Sequence, residues 1–184
     1  PHFGMWPDAY YMPDNQFNQA GTAFLGGGRF AFDRAKMLVG DPTARYIYFD
    51  SCPTNVGCII GGELPSDLDG LTPPPAGAPN VFAYFTAVEW GDPSDAVRLF
   101  DFHADFATPA NSTFTERTGS PLVVAAFDPD TVPATRKVIP QPPPATSNSF
   151  LDAIGDRLMF RLAYRNQGAT ESLILNHTVN AAVN

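Results

Sequence analysis

Apolar and polar side chains alternate most clearly over residues 155–166. The apolar positions are Leu158, Phe160, Leu162 and Tyr164, and the positions between them hold Arg157, Met159, Arg161 and Ala163. A period of two is typical of a β-strand with one apolar face. The pattern therefore predicts a strand whose opposite face carries three arginines, Arg157, Arg161 and Arg165.

Two earlier segments share this pattern and indicate an internal repeat. When Asp8, Asn80 and Asp156 are aligned, the apolar positions coincide: Tyr10 with Phe82 and Leu158, and Met12 with Tyr84 and Phe160. Second strands are predicted at residues 28–33 and 96–101, and third strands at 44–49 and 112–115. The apolar face of the first strand is thus kept in each repeat.

The repeat divides the chain into three units. Residues 1–77 and 78–149 each form a unit that ends in a proline-rich linker, and residues 150–184 form a partial third unit. Units of about 70 residues with four short strands predict an all-β fold of propeller-like blades of antiparallel strands, with long loops. A short helix is predicted over residues 33–40, with Asp33 as its N-cap. A sandwich of packed sheets is the alternative.

Two and a half blades cannot close a ring that needs about four or more. We therefore expect further blades, supplied by additional sequence or by other chains. The chain begins without Met and without a signal peptide, which favours a processed protein or a fragment.

Composition narrows the range of partners. The formal net charge is −8 and no basic tract occurs, so nucleic acid is not an expected partner. No run of about 18 apolar residues is present, so no membrane span is predicted. The 19 prolines and 15 glycines argue against long helices.

Three further features bear on the compartment. Cys52 and Cys58 predict a small disulfide-closed loop. Two free core cysteines, or a metal site with more ligands, are the alternatives. Asn111 and Asn176 each begin an Asn-x-Thr sequon and are candidate glycosylation sites. Together these features favour a secreted or cell-surface protein.

Several motifs extend over most of the chain. They are Gly-x-Trp-Pro-Asp-x-Tyr-Tyr-Met at 4–12, Phe-Asp-Arg-x-x-Met-Leu at 32–38, Leu-Pro-x-Asp-Leu-Asp-Gly at 64–70 with Pro-Pro-Pro-Ala-Gly at 73–77, Phe-His-x-Asp at 102–105, Pro-Ala-Asn-Ser-Thr-Phe at 109–114, and Gly-Asp-Arg-Leu-Met-Phe-Arg-Leu-Ala-Tyr-Arg-Asn at 155–166. As a set they resemble a group of secreted bacterial β-propeller-like proteins without an assigned reaction. The resemblance implies a secreted, propeller-like protein, and it implies that these motifs belong to longer chains. The insertion at 128–130 departs from that group, whose members are more often shorter or cysteine-bearing there.

Candidate chemistry begins with Asp101, His103 and Asp105, which alternate along one predicted strand. Three such side chains on one face can bind a metal, or combine a base with an orienting carboxylate. A polar sheet face with a His–carboxylate hydrogen bond is the alternative. Asp8 is a further catalytic candidate.

Asp67 and Asp69 precede Gly70 in a pattern that resembles the start of a Ca²⁺-binding loop. A simple Asx-turn is the alternative, because the later Glu of an EF-hand is missing. Calcium is the one cofactor that the sequence indicates.

Candidate ligand-binding residues are Arg157, Arg161, Arg165 and Trp6. Spaced guanidinium groups can bind a carboxylate or sulfate ligand, or pair with the abundant aspartates. Trp6, with Tyr10, Tyr11 and Trp90, can form a sugar-stacking platform or pack in the core. Carbohydrate is therefore a candidate partner.

The sequence contains no Gly-x-Ser-x-Gly elbow, P-loop or His-Glu-x-x-His motif. A secreted β-repeat protein that acts as a binding or structural assembly module is the first functional hypothesis. The alternative is a glycan-active hydrolase on a propeller scaffold, which uses the Asp and His candidates.

Overall fold

A computed structural model describes residues 2–50, 60–129 and 137–180. Strands make up 44% and helix 9%, which confirms the prediction of a β fold with little helix. The strands are β1 (Gly4–Met5), β2 (Ala9–Phe17), β3 (Phe24–Asp33), β4 (Tyr46–Asp50), β5 (Leu64–Leu68), β6 (Asn80–Thr86), β7 (Ala96–His103), β8 (Thr113–Glu116), β9 (Leu122–Val123), β10 (Lys137–Ile139), β11 (Leu151–Asp152), β12 (Leu158–Asn166) and β13 (Glu171–His177).

Helical structure is short, as the proline content predicts. The α-helix α1 spans Arg34–Leu38, and 3₁₀ turns span Val88–Trp90, Pro109–Asn111 and Ser147–Ser149. The side chain of Asp33 caps α1 by accepting a hydrogen bond from the backbone N–H of Lys36. Gly40 follows the helix at a φ of 67°, a conformation that favours glycine. None of the helices described here is long and apolar enough to cross a bilayer.

The first unit forms an antiparallel sheet in the order β1-β2-β3-β4. Its inner face is buried, with Ala9, Tyr11 and Ala31 fully inaccessible to solvent. Tyr11 lies opposite Ala31 across the β2–β3 pair, so the large ring fits above a small side chain. Tyr10 and Met12, the apolar positions of the repeat alignment, lie on the other face of β2 and are half-buried.

A seven-stranded sheet in the order β13-β12-β5-β6-β7-β8, with β9 also paired to β7, joins strands from all three predicted units. The centre of this sheet is β5, which pairs antiparallel with β6 and parallel with β12. The sequence analysis placed residues 64–68 in a proline-rich linker, and this was wrong. Pro65 pairs with Phe82 in a short ladder between β5 and β6. Beside it, the Asn80 side chain accepts a hydrogen bond from the backbone N–H of Ser66 and donates one to the backbone carbonyl of Ser66.

Two hydrophobic clusters hold the units together. The first lies between the first sheet and β6–β8, where Tyr11 meets Phe102 edge-on at a centroid distance of 5.1 Å. The second lies on the opposite face of β6 and β7, where Ala83 and Phe85 pack with Leu158 and Leu162. The sheet curls so that the third unit folds back over the second. The first sheet therefore packs on the seven-stranded sheet, and the third unit both continues that sheet through β5 and packs against β6 across the second cluster.

One residue of the opening strand pattern breaks the predicted alternation. Leu158, Leu162 and Tyr164 are buried as predicted, but Phe160 is 56% exposed and stacks on His2 at 5.0 Å. The pairing register of β12 with β13 shifts between Met159 and Ala163. Such an irregularity turns side chains away from strict alternation, which explains the outward position of Phe160.

A buried ion pair connects the sheets. Arg29 on β3 donates to both carboxylate oxygens of Glu63, at 2.7 and 2.8 Å, and both side chains are almost inaccessible to solvent. The guanidinium carbon of Arg29 also lies 4.5 Å from the ring centroid of Phe114 on β8. The first sheet, the start of β5 and β8 therefore meet at one charged contact.

We predict that Glu63→Ala destabilises the fold by about 3–5 kcal/mol, because it leaves Arg29 buried without its partner. Chemical unfolding measures this change. Glu116→Ala is the matched control, since its ion pair with Arg98 is about one-third exposed and should contribute less than about 1 kcal/mol. Equal losses in the two variants would contradict the structural role of the buried pair.

Candidate functional site

A cleft of about 480 Å³ lies where the loop before β2, the proline-rich segment 73–79 and the end of β7 meet. Its apolar wall consists of Trp6, Pro7, Pro73, Pro74, Pro75 and Pro79, and we call it the proline cleft. Asp8 and His103 supply its ionisable side chains. The fold thus brings together two sequence candidates from different units, Asp8 in the loop before β2 and His103 at the end of β7.

The carboxyl group of Asp8 lies in a crowded environment. The residue as a whole is exposed, but neighbouring atoms crowd its carboxyl group, and this burial raises the pKa of Asp8. The Tyr11 hydroxyl donates a 2.9 Å hydrogen bond to Asp8, which partly opposes the shift. Burial and the nearby carboxylate raise the pKa of Tyr11, so this tyrosine stays protonated as the donor.

Trp6 forms part of the cleft wall but belongs to the core. It is 2% exposed, its indole Nε1 donates to the carbonyl of Ala78 at 3.1 Å, and its ring meets Tyr164 edge-on at 4.7 Å. A ring fixed on this many sides offers little surface for sugar stacking. Tyr11 is likewise buried, whereas Tyr10 is half-buried and Trp90 is 36% exposed.

The cluster predicted from Asp101, His103 and Asp105 is divided by the end of β7. Asp101 accepts a 2.8 Å bond from Arg117. Asp105 lies beyond the strand, and its carboxylate accepts from the backbone N–H groups of Thr108 and Ala107, which lower its pKa. No cluster of three or more metal-ligating side chains occurs across residues 2–50, 60–129 and 137–180.

The Asp67–Asp69 pair contacts the arginine face of β12. Arg161 lies 3.1 Å from Asp67 and 2.9 Å from Asp69, and Arg165 approaches Asp69 at 3.7 Å. Asp67 also accepts a bond from the backbone N–H of Met5. A calcium ion bound by these two carboxylates would have to displace Arg161.

Arg157 lies in a second cleft, also of about 480 Å³. It pairs with its neighbour Asp156 at 3.0 Å. Aromatic side chains line the same cleft, and we name it the aromatic cleft after Phe17, Phe24, Tyr84 and Trp90. Asp156, which aligns with Asp8 in the repeat, therefore pairs with Arg157 in the aromatic cleft, whereas Asp8 lies in the proline cleft.

The candidate modification sites lie in different settings. Asn111 is exposed in a 3₁₀ turn, where its side-chain amide donates to Asp105 at 3.2 Å. Asn176 is exposed on β13. Cys52 and Cys58 lie outside the described residues, so their disulfide stays a prediction, as does the role of Asp130 in the insertion.

Comparison with known protein families, curated proteins and solved structures finds no match to this chain. The geometry of the molecule itself is therefore the basis for a functional proposal.

Sequence reasoning missed two parts of the site. The prolines at 73–75 were interpreted as a linker and Pro79 as the start of the second unit, but together they form a cleft wall. Tyr11 was considered only as a stacking or core side chain, whereas its hydroxyl binds Asp8. The spacing of three residues between Asp8 and Tyr11 was the one available signal.

We predict that Asp8→Asn raises the thermal midpoint at pH 7. A raised folded-state pKa means that ionised Asp8 opposes folding above that pKa, and the amide removes this cost while still accepting the Tyr11 hydrogen bond. The difference should disappear as the pH falls below the ordinary Asp value of about 3.9, where both states are protonated. A variant that is less stable than wild type at pH 7 would contradict the assignment.

Proposed function

We propose that this chain is a secreted or cell-surface β-repeat module that acts through assembly with further repeat units. The observation that carries the proposal is the exposed sheet face of the first unit. Five aromatic side chains from three strands meet there, and we call them the outer aromatic face: Tyr10, Phe30, Phe32, Tyr46 and Tyr48. They lie on the side of the sheet opposite the core.

The outer aromatic face is a continuous surface. Phe30 lies 5.8 Å from Phe32 and 4.8 Å from Tyr48, measured between ring centroids. Tyr46 is 60% exposed and Tyr48 is 38% exposed. Contiguous exposed apolar patches on soluble proteins mark interaction sites more often than free surface, because their hydration is unfavourable.

The pairing of carboxylates also favours a structural module over an enzyme. Asp67, Asp69 and Asp101 each contact an arginine. A carboxylate held in an ion pair is a poorer base or nucleophile than a free one, because the cation stabilises its ionised form. These aspartates are better explained as connections between strands.

Further parts of the proposal rest on the sequence. The three units are interpreted as propeller blades, on the basis of the antiparallel orders β1-β2-β3-β4 and β6-β7-β8 and of the resemblance to secreted propeller-like proteins. Glycans on Asn111 and Asn176, the disulfide and a bound calcium ion belong to the same proposal. Carbohydrate is the proposed small ligand, and the aromatic cleft offers exposed rings for it at Phe17 and Trp90.

The double variant Tyr46→Ser/Tyr48→Ser tests the assembly proposal. A tagged protein in the medium of cells that secrete it should elute in size-exclusion chromatography well above the 19.9 kDa of one chain. The double variant should elute as a single chain, because loss of two interface aromatics weakens association roughly tenfold or more.

The matched control is Leu71→Ser, which removes a fully exposed apolar side chain from the loop between β5 and β6. It should leave the elution volume unchanged. Elution of the wild type as a single chain, or a complex that persists in the double variant, would refute the proposal.

The second candidate function is glycan hydrolysis in the proline cleft. The observation that favours it is the presence of Asp8 and His103 in one cleft, with the pKa of Asp8 raised by burial as a general acid requires.

A panel of nitrophenyl glycosides tests this second candidate. If the cleft is catalytic, Asp8→Asn should lower kcat at least about a hundredfold, since general acid catalysis contributes about that much. Asp101→Asn is the control, because its carboxylate is held by Arg117. No turnover by the wild type, or equal turnover by both variants, would exclude Asp8 as the acid.

A further inference from the structure

We infer that the aromatic cleft and a smaller cleft beside it form one groove, and that this groove binds a linear, uncharged oligosaccharide. This inference rests on the carbohydrate ligand of the proposed function, and it names the chemical class of that ligand and the surface that binds it. Within the described residues, neither cleft shares a lining residue with the proline cleft, so the inference is independent of any catalytic role of Asp8.

The two clefts adjoin each other. The aromatic cleft has a volume of about 480 Å³ and its neighbour one of about 330 Å³, both of which are in the range of small-molecule sites. Four residues line both clefts: Asn15, Phe17, Gly62 and Arg157. A ligand that occupies both clefts therefore extends past these four side chains, and it has to be longer than a ligand that fills either cleft alone.

One wall of the aromatic cleft is the tip of the β2–β3 hairpin. Phe17 and Phe24 pair at the end of the ladder, and their rings meet edge-on at a centroid distance of 5.7 Å. The loop beyond them is fixed by the side chain of Asn18, which accepts hydrogen bonds from the backbone N–H groups of Thr22 and Ala23. Phe17 is nevertheless 54% exposed. The hairpin thus holds an exposed ring in a fixed position.

A second wall is the 3₁₀ turn after β6, which carries Trp90. The ring of Trp90 lies 5.0 Å from that of Phe85, and the residue is 36% exposed. The turn is closed by Asp92, whose carboxylate accepts a hydrogen bond from the backbone N–H of Ala87. Gly91 has a φ of 89°, which favours glycine. A ring that is already held in place loses little conformational freedom when a ligand packs on it, which favours binding.

Gly61 and Gly62 line the groove where only glycine fits. A Cβ atom on Gly61 would lie 2.7 Å from the ring of Phe24. A Cβ atom on Gly62 would lie 2.7 Å from the Cβ atom of Arg157. The backbone N–H of Gly62 donates to the side-chain oxygen of Asn15 at 3.0 Å. The close approach of this backbone segment therefore positions Asn15 and Arg157 where the two clefts meet.

The polar side chains of the groove indicate which ligand chemistry fits it. Asn15 and Arg157 supply N–H donors, and the carboxylates of Asp14, Asp92 and Asp156 supply acceptors. A hydroxyl group both donates and accepts, so a ligand with many hydroxyl groups matches this mixture. Sugars combine such hydroxyl groups with C–H faces that can pack on aromatic rings. The rings and the polar groups of the groove are therefore explained by one class of ligand.

Charge argues against an anionic saccharide. Besides the buried Arg29–Glu63 pair, the groove has these three carboxylates and Arg157, which already pairs with Asp156 at 3.0 Å. The whole chain has a formal net charge of −8. A ligand with carboxylate, sulfate or phosphate groups would be repelled by this arrangement. The groove is thus suited to an uncharged sugar chain.

Fluorescence titration of the purified full chain tests the inference. The chain has two tryptophans, and because Trp6 is 2% exposed, a ligand-induced change in emission reports on Trp90. The probes are linear tetrasaccharides of glucose, xylose, mannose and N-acetylglucosamine, the corresponding monosaccharides, and tetragalacturonate as an anionic probe. At least one neutral tetrasaccharide should shift the emission. It should bind about tenfold more tightly than its monosaccharide, or better, because it contacts both clefts.

Variants locate the site, with calorimetry as the readout. Trp90→Ala and Phe17→Ala should each weaken binding about tenfold or more, because each removes a ring that the sugar contacts. Trp90→Phe keeps a ring and should retain most of the affinity. Tyr46→Ala is the matched control, since it removes a 60% exposed aromatic side chain outside the groove, and it should bind like wild type. Phe17 is 54% exposed, so Phe17→Ala should keep an unfolding midpoint close to that of wild type.

Four results would overturn the inference. They are the absence of binding to every neutral tetrasaccharide, tighter binding of tetragalacturonate, binding that persists in both Trp90→Ala and Phe17→Ala, and a tetrasaccharide that binds no more tightly than its monosaccharide. The last result would mean that the two clefts do not act as one groove. A wild type that assembles but binds no sugar refutes this inference alone. A wild type that binds sugar as a single chain refutes the assembly proposal alone.

Discussion

The contact on which the architecture depends most is the Arg29–Glu63 pair. Placing two charges where water cannot reach them is costly, and only a geometry with two direct hydrogen bonds offsets that cost. Few relative positions of β3 and the start of β5 satisfy this geometry, and the ring of Phe114 limits them further. Since β5 pairs with both β6 and β12, fixing β5 against the first sheet also fixes the other two units. The pair therefore selects one arrangement of the sheets more than it adds stability.

Among the candidate aspartates, Asp8 differs from the others in the groups that surround its carboxylate. Asp67, Asp69 and Asp101 contact arginines, and Asp105 is held by backbone N–H groups. Asp8 instead accepts from the neutral hydroxyl of Tyr11, in a cleft whose walls are mostly proline and tryptophan. A neutral donor and apolar walls do not favour the ionised form as an arginine does, which is why the pKa of Asp8 is raised rather than lowered.

The sequence predicted those parts of the structure that depend on local pattern. Strands β2, β3, β4, β6, β7, β8 and β12 lie where alternation and repeat alignment place them, and the helix with its Asp33 cap does too. It did not predict β5, because a five-residue segment with a proline resembles a connection until its partners are known. Phe160 turns outward because of a register shift with β13, which no pattern within β12 records. The sequence indicated Asp8 and His103 as separate candidates. It did not predict that they share one cleft, because that depends on how two units pack against each other.

The parallel pairing of β5 with β12 also has a consequence for the path of folding. Ser66 and Leu162 are neighbours across this pair, although about half of the chain separates them in sequence. The hairpins of the first two units can form as soon as they are synthesised, since their strands are close in the chain. One edge of β5 then keeps unpaired backbone groups until the third unit has been made. Throughout that interval the nascent chain offers a free strand edge to its neighbours, so the third unit, which is made after the first two, is the part that protects this edge from aggregation.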